Sequence, residues 1–271
     1  MLIQELGMNN KKKALFFPGG FTDFNWYKPI MELLSERWHT FGVMYDGYYE
    51  PFEHSFTSVE DIAHNVLDYF KQKEIVDFDL VYGFCMGGSM ANLVYASNQL
   101  HIKTLIIDAG ISPYELPHFL TRLILLRDVL GIKIVRSSKK LLKMVYSPDR
   151  WLYPWEEEEE AYDEIQNFMK KLSNETIRNG FDSTNNYKMP KTLPHNNTKM
   201  YYLYGDLEKK ERAWDIDYFR KTYPQMSFKE MENREHGELV TIGYQECIKV
   251  IDEIVNQSMI MDSRRNINHN K

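Results

Sequence analysis

The sequence predicts an α/β architecture: a mostly parallel, doubly wound sheet interrupted by an inserted helical segment. Three observations carry the prediction. Short apolar runs alternate with longer amphipathic stretches up to about Ser112. From Leu116 to Asn179 the pattern turns to successive helices without strands. Strand character then returns at Met200. Alternation of this kind favours right-handed βαβ units and a parallel sheet.

The elements follow in order. Ala14 to Phe17, Thr40 to Tyr45, Leu80 to Phe84 and Thr104 to Ile107 are apolar runs of strand length, each leading into a turn or a helix. Tyr27 to Glu36, Val59 to Gln72 and Gly87 to Asn98 have the spacing of crossover helices, and the second opens with Ser58 three residues before Asp61, as in a capping box. After Pro113 comes the helical stretch, which ends in the polar, proline-containing segment Asn185 to Asn197. Met200 to Tyr204 and Ser227 to Met231 read as strands, and Leu239 to about Ser258 as the last helix. The expected division is a core of residues 1–112 and 196–262, a helical lid or cap of 113–195, and a flexible tail of 263–271. No internal repeat is visible.

Composition narrows the function. With 43% hydrophobic and 27% charged residues, the 271-residue chain suits a globular domain with a large core and needs no disulfide or metal to fold. A net charge of -6, from 33 basic and 39 acidic residues, argues against a nucleic-acid partner bound through phosphates. Cys85 and Cys247 are too few for a disulfide framework and fit a reducing compartment, so a cytoplasmic location is the expectation. No basic stretch precedes a long apolar one at the N-terminus, which argues against a secretory signal. The longest apolar candidate, Leu116 to Ile134, is broken by His118, Arg122, Arg127 and Asp128 and falls short of the roughly 18 uninterrupted residues of a membrane span. The acidic run Glu156 to Glu160 reads as a solvated helix start, and Trp151, Tyr153 and Trp155 before it as packing anchors.

The most informative segment is Gly83-Phe84-Cys85-Met86-Gly87, where a strand runs straight into a helix through Gly-x-Cys-x-Gly. This is the pattern of a nucleophile elbow with cysteine in place of serine. The sharp turn forces its central residue into strained φ/ψ, and the flanking glycines avoid clashes that a Cβ would make. The sulfur would stand at a helix N-terminus, where free amides and the helix dipole favour thiolate.

With this elbow, the chain from Lys13 to about Ser258 resembles the α/β-hydrolase superfamily, and the cysteine elbow is similar to that of dienelactone hydrolase-type members. The resemblance implies the α/β-hydrolase fold, with the insertion placed like a lid. It also implies a triad in the chain order nucleophile, acid, histidine. Cys85 takes the first place. His236, after Ser227 to Met231 and before the last helix, matches the family's histidine; the other seven histidines fit worse. The acid's usual place, third after a glycine, falls on Glu208 in Gly205-Asp206-Leu207-Glu208, with Asp206 and then Asp108 as alternatives. Phe17-Pro18-Gly19-Gly20-Phe21 resembles the oxyanion loop, which makes the amides of Gly20 and Met86 the expected donors and Phe21 the alternative. Asp46-Gly47 resembles a structural turn of the family.

No Cys/His cluster has zinc spacing, and the glycines around Cys85 match neither a dinucleotide fingerprint nor a Walker motif, so no metal or cofactor is expected. The resemblance implies a hydrolase of an ester, thioester or lactone, acting on a small acyl substrate through a thioester acyl-enzyme. The same intermediate would serve an acyltransferase, and the fold also hosts noncatalytic binding proteins. On the insertion, Phe119, Leu123, Leu126 and Leu130 are candidates to face an acyl group or to pack in the core. The oligomeric state is left open.

Overall fold

The computed structural model describes residues 1–269, with side chains described through Asn256. Seven strands form one sheet: β1 (Leu2–Leu6), β2 (Lys13–Phe17), β3 (His39–Met44), β4 (Asp77–Phe84), β5 (His101–Asp108), β6 (Lys199–Gly205) and β7 (Ser227–Met231). Their order across the sheet is β1-β3-β2-β4-β5-β6-β7. All neighbours are parallel except β1, which runs antiparallel to β3 with Leu2 opposite Met44 and Leu6 opposite Thr40.

The six predicted strands are present, with β4, β5 and β6 longer by two to four residues and the others within one residue of the expected bounds. β1 was not predicted. It is an edge strand paired on one side only and half exposed, so it has no buried apolar run to betray it.

Alternation along the strands builds two cores, one on each face of the sheet. Leu15, Phe17, Val81, Leu105 and Ile107 point to the face covered by α2 (Val59–Gln72) and α3 (Met86–Ala96). Ala14, Phe16, Leu80, Tyr82 and Ile106 point to the other, covered by α1 (Lys28–Ser35) and by α10 (Tyr244–His269), which follows α9 (Ala213–Thr222) and β7. The sheet is therefore doubly wound, as expected. Ser58 caps α2 as predicted, its Oγ accepting the Asp61 amide at 3.0 Å.

The last helix begins five residues later than its apolar pattern suggested, because Leu239, Val240 and Thr241 are buried in a turn segment ahead of it. Of the expected flexible tail, residues 263–269 continue this helix, and 270–271 lie outside the described residues.

Five helices stand between β5 and β6: α4 (His118–Val135), α5 (Lys139–Val145), α6 (Pro148–Trp151), α7 (Glu158–Lys171) and α8 (Asn174–Asn186). Tyr162, Ile165, Met169 and Ile177 join the same core as α2 and α3, so the later part of this insertion is packed onto the sheet layer. The acidic run opens α7, where Glu158 and Glu159 pair with Lys143 and Lys139 of α5.

Trp151 and Tyr153 are packing anchors: Trp151 meets Trp26 and Tyr146, and Tyr153 donates its hydroxyl to the Trp26 carbonyl at 2.7 Å. Trp155 is not, being 63% exposed with one face stacked on Tyr153. Phe119, Leu123, Leu126 and Leu130 face neither an acyl pocket nor the core: all four are exposed on the outer side of α4. The inner side of that helix is already filled by Thr121, Leu125 and their neighbours.

Candidate active site

The site begins where β4, at the centre of the sheet, turns into α3. Cys85 stands between them with φ 52° and ψ -119°, a conformation that side chains with a Cβ rarely adopt. Backbone hydrogen bonds hold it there. Its amide donates to the Asp108 carbonyl at 2.9 Å, and its own carbonyl accepts the Gly88 amide at 3.0 Å. The elbow glycines are needed for close approach: a Cβ on Gly87 would lie 2.2 Å from the Phe17 carbonyl oxygen, and one on Gly83 2.4 Å from that of Gly87.

Two loops at the neighbouring strand ends complete the arrangement. The turn after β7 presents His236, half-buried beside Gly237 at φ 85°. The turn after β6 presents Glu208, whose Oε2 lies 2.7 Å from His236 Nδ1. Its Oε1 accepts the Gly205 amide at 3.1 Å, which fixes the carboxylate against its own loop. His236 is also near enough to Cys85 for the two side chains to hold the thiol down and the imidazole up.

Of the three carboxylates the sequence offered, Glu208 is the one on the histidine. Asp206 instead accepts the Arg234 amide at 3.2 Å, binding the two loops together through backbone. Asp108 accepts the Tyr82 hydroxyl at 2.6 Å inside the sheet.

Charge in this cluster is mutually supportive. Burial pushes the Cys85 thiol up, but His236 and Arg212 outweigh it and hold the sulfur below the ordinary thiol range. Burial lowers His236, and the facing sulfur together with Glu208 raises it well above an ordinary imidazole. Glu208 stays below the usual carboxylate range despite its burial, because His236, the Gly205 amide and Arg212 favour its charged form.

Arg212 was missed in the sequence. It follows Glu208 by one helical turn, with its Nε 3.8 Å from Glu208 Oε2 and its Nη1 3.2 Å from Asp215 Oδ2. Asp215, also missed, is buried and accepts both the amide and the hydroxyl of Ser112 at 2.8 Å. The only available signal was the spacing Glu208, Arg212, Asp215, which suits one helix face but is common on solvated helices.

The Pro18-Gly19-Gly20-Phe21 loop lies beside the start of α3. Tyr45 donates its hydroxyl to the Pro18 carbonyl at 2.8 Å, and the Gly19 amide donates to the Tyr27 hydroxyl at 3.1 Å. Gly20 packs against Met86, where a Cβ would be 3.0 Å from Sδ. Phe21 has φ 62°, and its ring stacks on Phe181 of α8 at 4.4 Å.

The insertion reaches the histidine loop as well. Trp151 stands over Gly237, and Arg150 Nη1 meets the buried carboxylate of Glu238 at 3.0 and 3.1 Å. A cleft of about 80 Å³ lies between Phe21 and Trp26 on one side and Ile165 and Phe168 on the other. A larger cavity, about 730 Å³, is remote from the site, at the opposite ends of the strands among Lys13, Asp79, His101 and Lys103. No group of three or more His, Cys, Asp or Glu side chains able to hold a metal ion occurs among the described residues. No helix there is long and apolar enough to cross a membrane.

No protein-family model matches the chain, and no curated protein matches it in sequence. Solved structures do match its architecture. A protein assigned to the α/β-hydrolase family from Desulfitobacterium hafniense superposes with a TM-score of 0.71 at 14% identity, over 94% of this chain and 100% of its own. A carboxylesterase from Nitrososphaera gargenis gives 0.67 at 12% identity, over 95% and 94%. An esterase from Thermogutta terrifontis gives 0.66 at 14%, over 93% of each. The chain has the α/β-hydrolase fold.

Proposed function

We propose that this protein is a hydrolase that cleaves an ester, thioester or lactone with Cys85 as nucleophile, His236 as general base and acid, and Glu208 as the carboxylate orienting the imidazole. The observation that carries the reading is the 2.7 Å hydrogen bond between Glu208 Oε2 and His236 Nδ1, on an imidazole near enough to the elbow thiol for each to shift the other's pKa. The esterases among its structural neighbours are in keeping with this chemistry.

In the first half-reaction the Cys85 thiolate attacks the acyl carbonyl carbon. The new carbon–sulfur bond drives the carbonyl electron pair onto oxygen, and the amides of Gly20 and Met86, with Phe21 as the alternative to Gly20, donate to that oxyanion. As the intermediate collapses, the bond to the leaving group breaks and His236 gives it a proton. In the second half, His236 takes a proton from water, the hydroxide attacks the thioester, and the acid departs as thiolate re-forms. The helical insertion, reading 113–195 as a lid over the core of 1–112 and 196–262, would limit water and select the acyl group.

The test is intact-mass spectrometry and turnover with p-nitrophenyl esters and acyl thioesters, on wild type and Cys85→Ala. An acyl adduct on wild type alone, released by water, is the expected result. An adduct released only by an added amine or alcohol would make the protein an acyltransferase. Neither adduct nor turnover would make it a binding protein.

A further inference from the structure

Among the described residues, two buried side-chain polar atoms lack a hydrogen-bond partner: Arg212 Nε and the hydroxyl of Tyr48. Arg212 Nε has a carboxylate oxygen 3.8 Å away in Glu208. Tyr48 has no such neighbour, although the residue is only 3% exposed. A hydroxyl taken out of water and left unpaired costs stability, and native structures keep few of them.

Tyr48 is the third of three buried tyrosines around the Pro18-Gly19-Gly20-Phe21 loop. The other two are bonded to it. The Tyr27 hydroxyl accepts the Gly19 amide at 3.1 Å and pairs with the Thr22 hydroxyl at 3.0 Å, while Tyr45 donates to the Pro18 carbonyl at 2.8 Å. Tyr48, just beyond β3, sets its ring edge-on to Phe21 with centroids 5.8 Å apart. Its hydroxyl and the tip of the Phe21 ring meet against Gly180 of α8, where a Cβ would stand 2.8 Å from the oxygen and 3.1 Å from Phe21 Cζ.

We propose that the Tyr48 hydroxyl is a catalytic hydrogen-bond donor, which donates to the acyl oxygen of the substrate as negative charge develops there and so adds to the backbone amides of the oxyanion loop and Met86. Its surroundings lack an acceptor. The rings packed on it are Phe21, Phe56 and Tyr45, whose own hydroxyl is bonded to Pro18. Burial foremost, and then the charge on the nearby Cys85 sulfur, hold the phenol proton more tightly than in water, against the neighbouring Phe21 amide. That amide is itself a donor. The reaction supplies what is missing: when the Cys85 sulfur bonds to the carbonyl carbon, the carbonyl electron pair moves onto oxygen and makes a strong acceptor. Tyr48 keeps its proton throughout, so collapse of the intermediate leaves the phenol unchanged. A donor unpaired at rest and paired in the transition state favours the latter selectively.

This inference rests on the hydrolase reading and deepens it. The experiment compares wild type, Tyr48→Phe and Tyr45→Phe in p-nitrophenyl ester turnover, iodoacetamide alkylation and urea denaturation. Tyr48→Phe should lose on the order of 10²-fold in kcat with little change in KM. Both half-reactions pass through an oxyanion, so kcat falls whichever limits the rate. Alkylation of Cys85 displaces iodide at a saturated carbon and forms no oxyanion, so its rate should be unchanged. The urea midpoint of Tyr48→Phe should equal or exceed that of wild type, because only an unpaired hydroxyl is removed, whereas Tyr45→Phe should unfold at lower urea. Undiminished turnover in Tyr48→Phe would overturn the proposal and leave the hydrolase reading standing. A loss of turnover matched by slower alkylation or a lower midpoint would make Tyr48 a structural brace and overturn it as well. Neither turnover nor an acyl adduct in wild type would remove the hydrolase reading and this donor with it.

Discussion

Glu208 divides its carboxylate between two duties: Oε2 meets His236 Nδ1 at 2.7 Å, while Oε1 accepts the amide of Gly205, three residues back in its own turn. The second bond holds the longer glutamate side chain in one geometry, so the first can fix the imidazole. With its Nδ1 proton held by Glu208, the ring has Nε2 available for the sulfur.

Glu208→Gln should therefore lower kcat/KM for a p-nitrophenyl ester by on the order of 10²-fold or more, because an amide can present its NH2 to Nδ1 and select the wrong tautomer. Asp206→Asn should stay within a few-fold of wild type, since Asp206 bonds only to backbone in this loop pair. Steady-state kinetics on the two variants compare the carboxylates directly. The reverse ranking would move the acid to Asp206.

The lowered Cys85 pKa has a measurable signature. Alkylation by iodoacetamide should inflect at a pH below that of an ordinary thiol, because His236 and Arg212 outweigh burial. In His236→Asn the main opposing charge is gone, burial dominates, and the inflection should move upward. At pH 7 the variant's alkylation rate should fall by about tenfold or more, one decade for each pKa unit. Cys247 should not interfere: it is fully buried, donates to the Tyr82 hydroxyl at 3.5 Å, and burial pushes its thiol far up. One thiol titratable in the native protein and two in denaturant is the expected count.

The sheet, and the placing of Cys85, His236 and Glu208 at neighbouring strand ends, were legible in the sequence for a local reason. The strands through Val81 and Ile106 are apolar runs, and the elbow is written in consecutive residues around Cys85. His236 and Glu208 could be placed because each follows a strand end. What was illegible depends on contacts between distant segments. Asp206 and Glu208 sit two residues apart with the same charge, and only the course of the Arg234 backbone decides which reaches the ring. Arg212 and Asp215 read as surface helix charges until Ser112, over a hundred residues away in sequence, supplies the donors that let Asp215 be buried. The outward stripe on α4 has the spacing of a core face, and spacing cannot say which side of a helix the core is on.

Asp108 is a second carboxylate close to the elbow, and its titration should appear in stability. Burial raises it from 3.8 to about 7, against the Tyr82 hydrogen bond that lowers it. The folded chain thus binds this proton more tightly than the unfolded chain. The stabilisation is full below about pH 4 and is lost as pH rises through about 7. Asp108→Asn keeps an acceptor for Tyr82 and removes the titration. Relative to the variant, wild type should lose a few kcal/mol between those two values, at about 1.4 kcal/mol per pKa unit. Urea denaturation of both proteins at several pH values measures it, and a difference that stays flat with pH would contradict the assignment. Activity in Asp108→Asn should persist, because its side chain lies on Tyr82.

The elbow makes the sharpest stability prediction, because it separates chemistry from backbone strain. Cys85 has φ 52° and ψ -119°, and its neighbours leave it no other choice: Gly87 is pressed to within 2.2 Å, by a would-be Cβ, of the Phe17 carbonyl oxygen, and the Cys85 amide is held by Asp108. Glycine accepts such angles without a Cβ penalty, whereas alanine keeps the penalty and loses the sulfur. Cys85→Gly should therefore be more stable than Cys85→Ala by about 1 kcal/mol, net of glycine's greater freedom when unfolded, although both lack the nucleophile. Cys85→Ser keeps the Cβ and a weaker nucleophile, so it should match Cys85→Ala in stability more closely than Cys85→Gly does and retain measurable esterase activity. Gly87→Ala should be more destabilising than any of these, because the backbone oxygen it meets cannot turn aside. Chemical denaturation of the four variants ranks them. Equal stability for Cys85→Gly and Cys85→Ala would mean that the turn is not strained at Cys85.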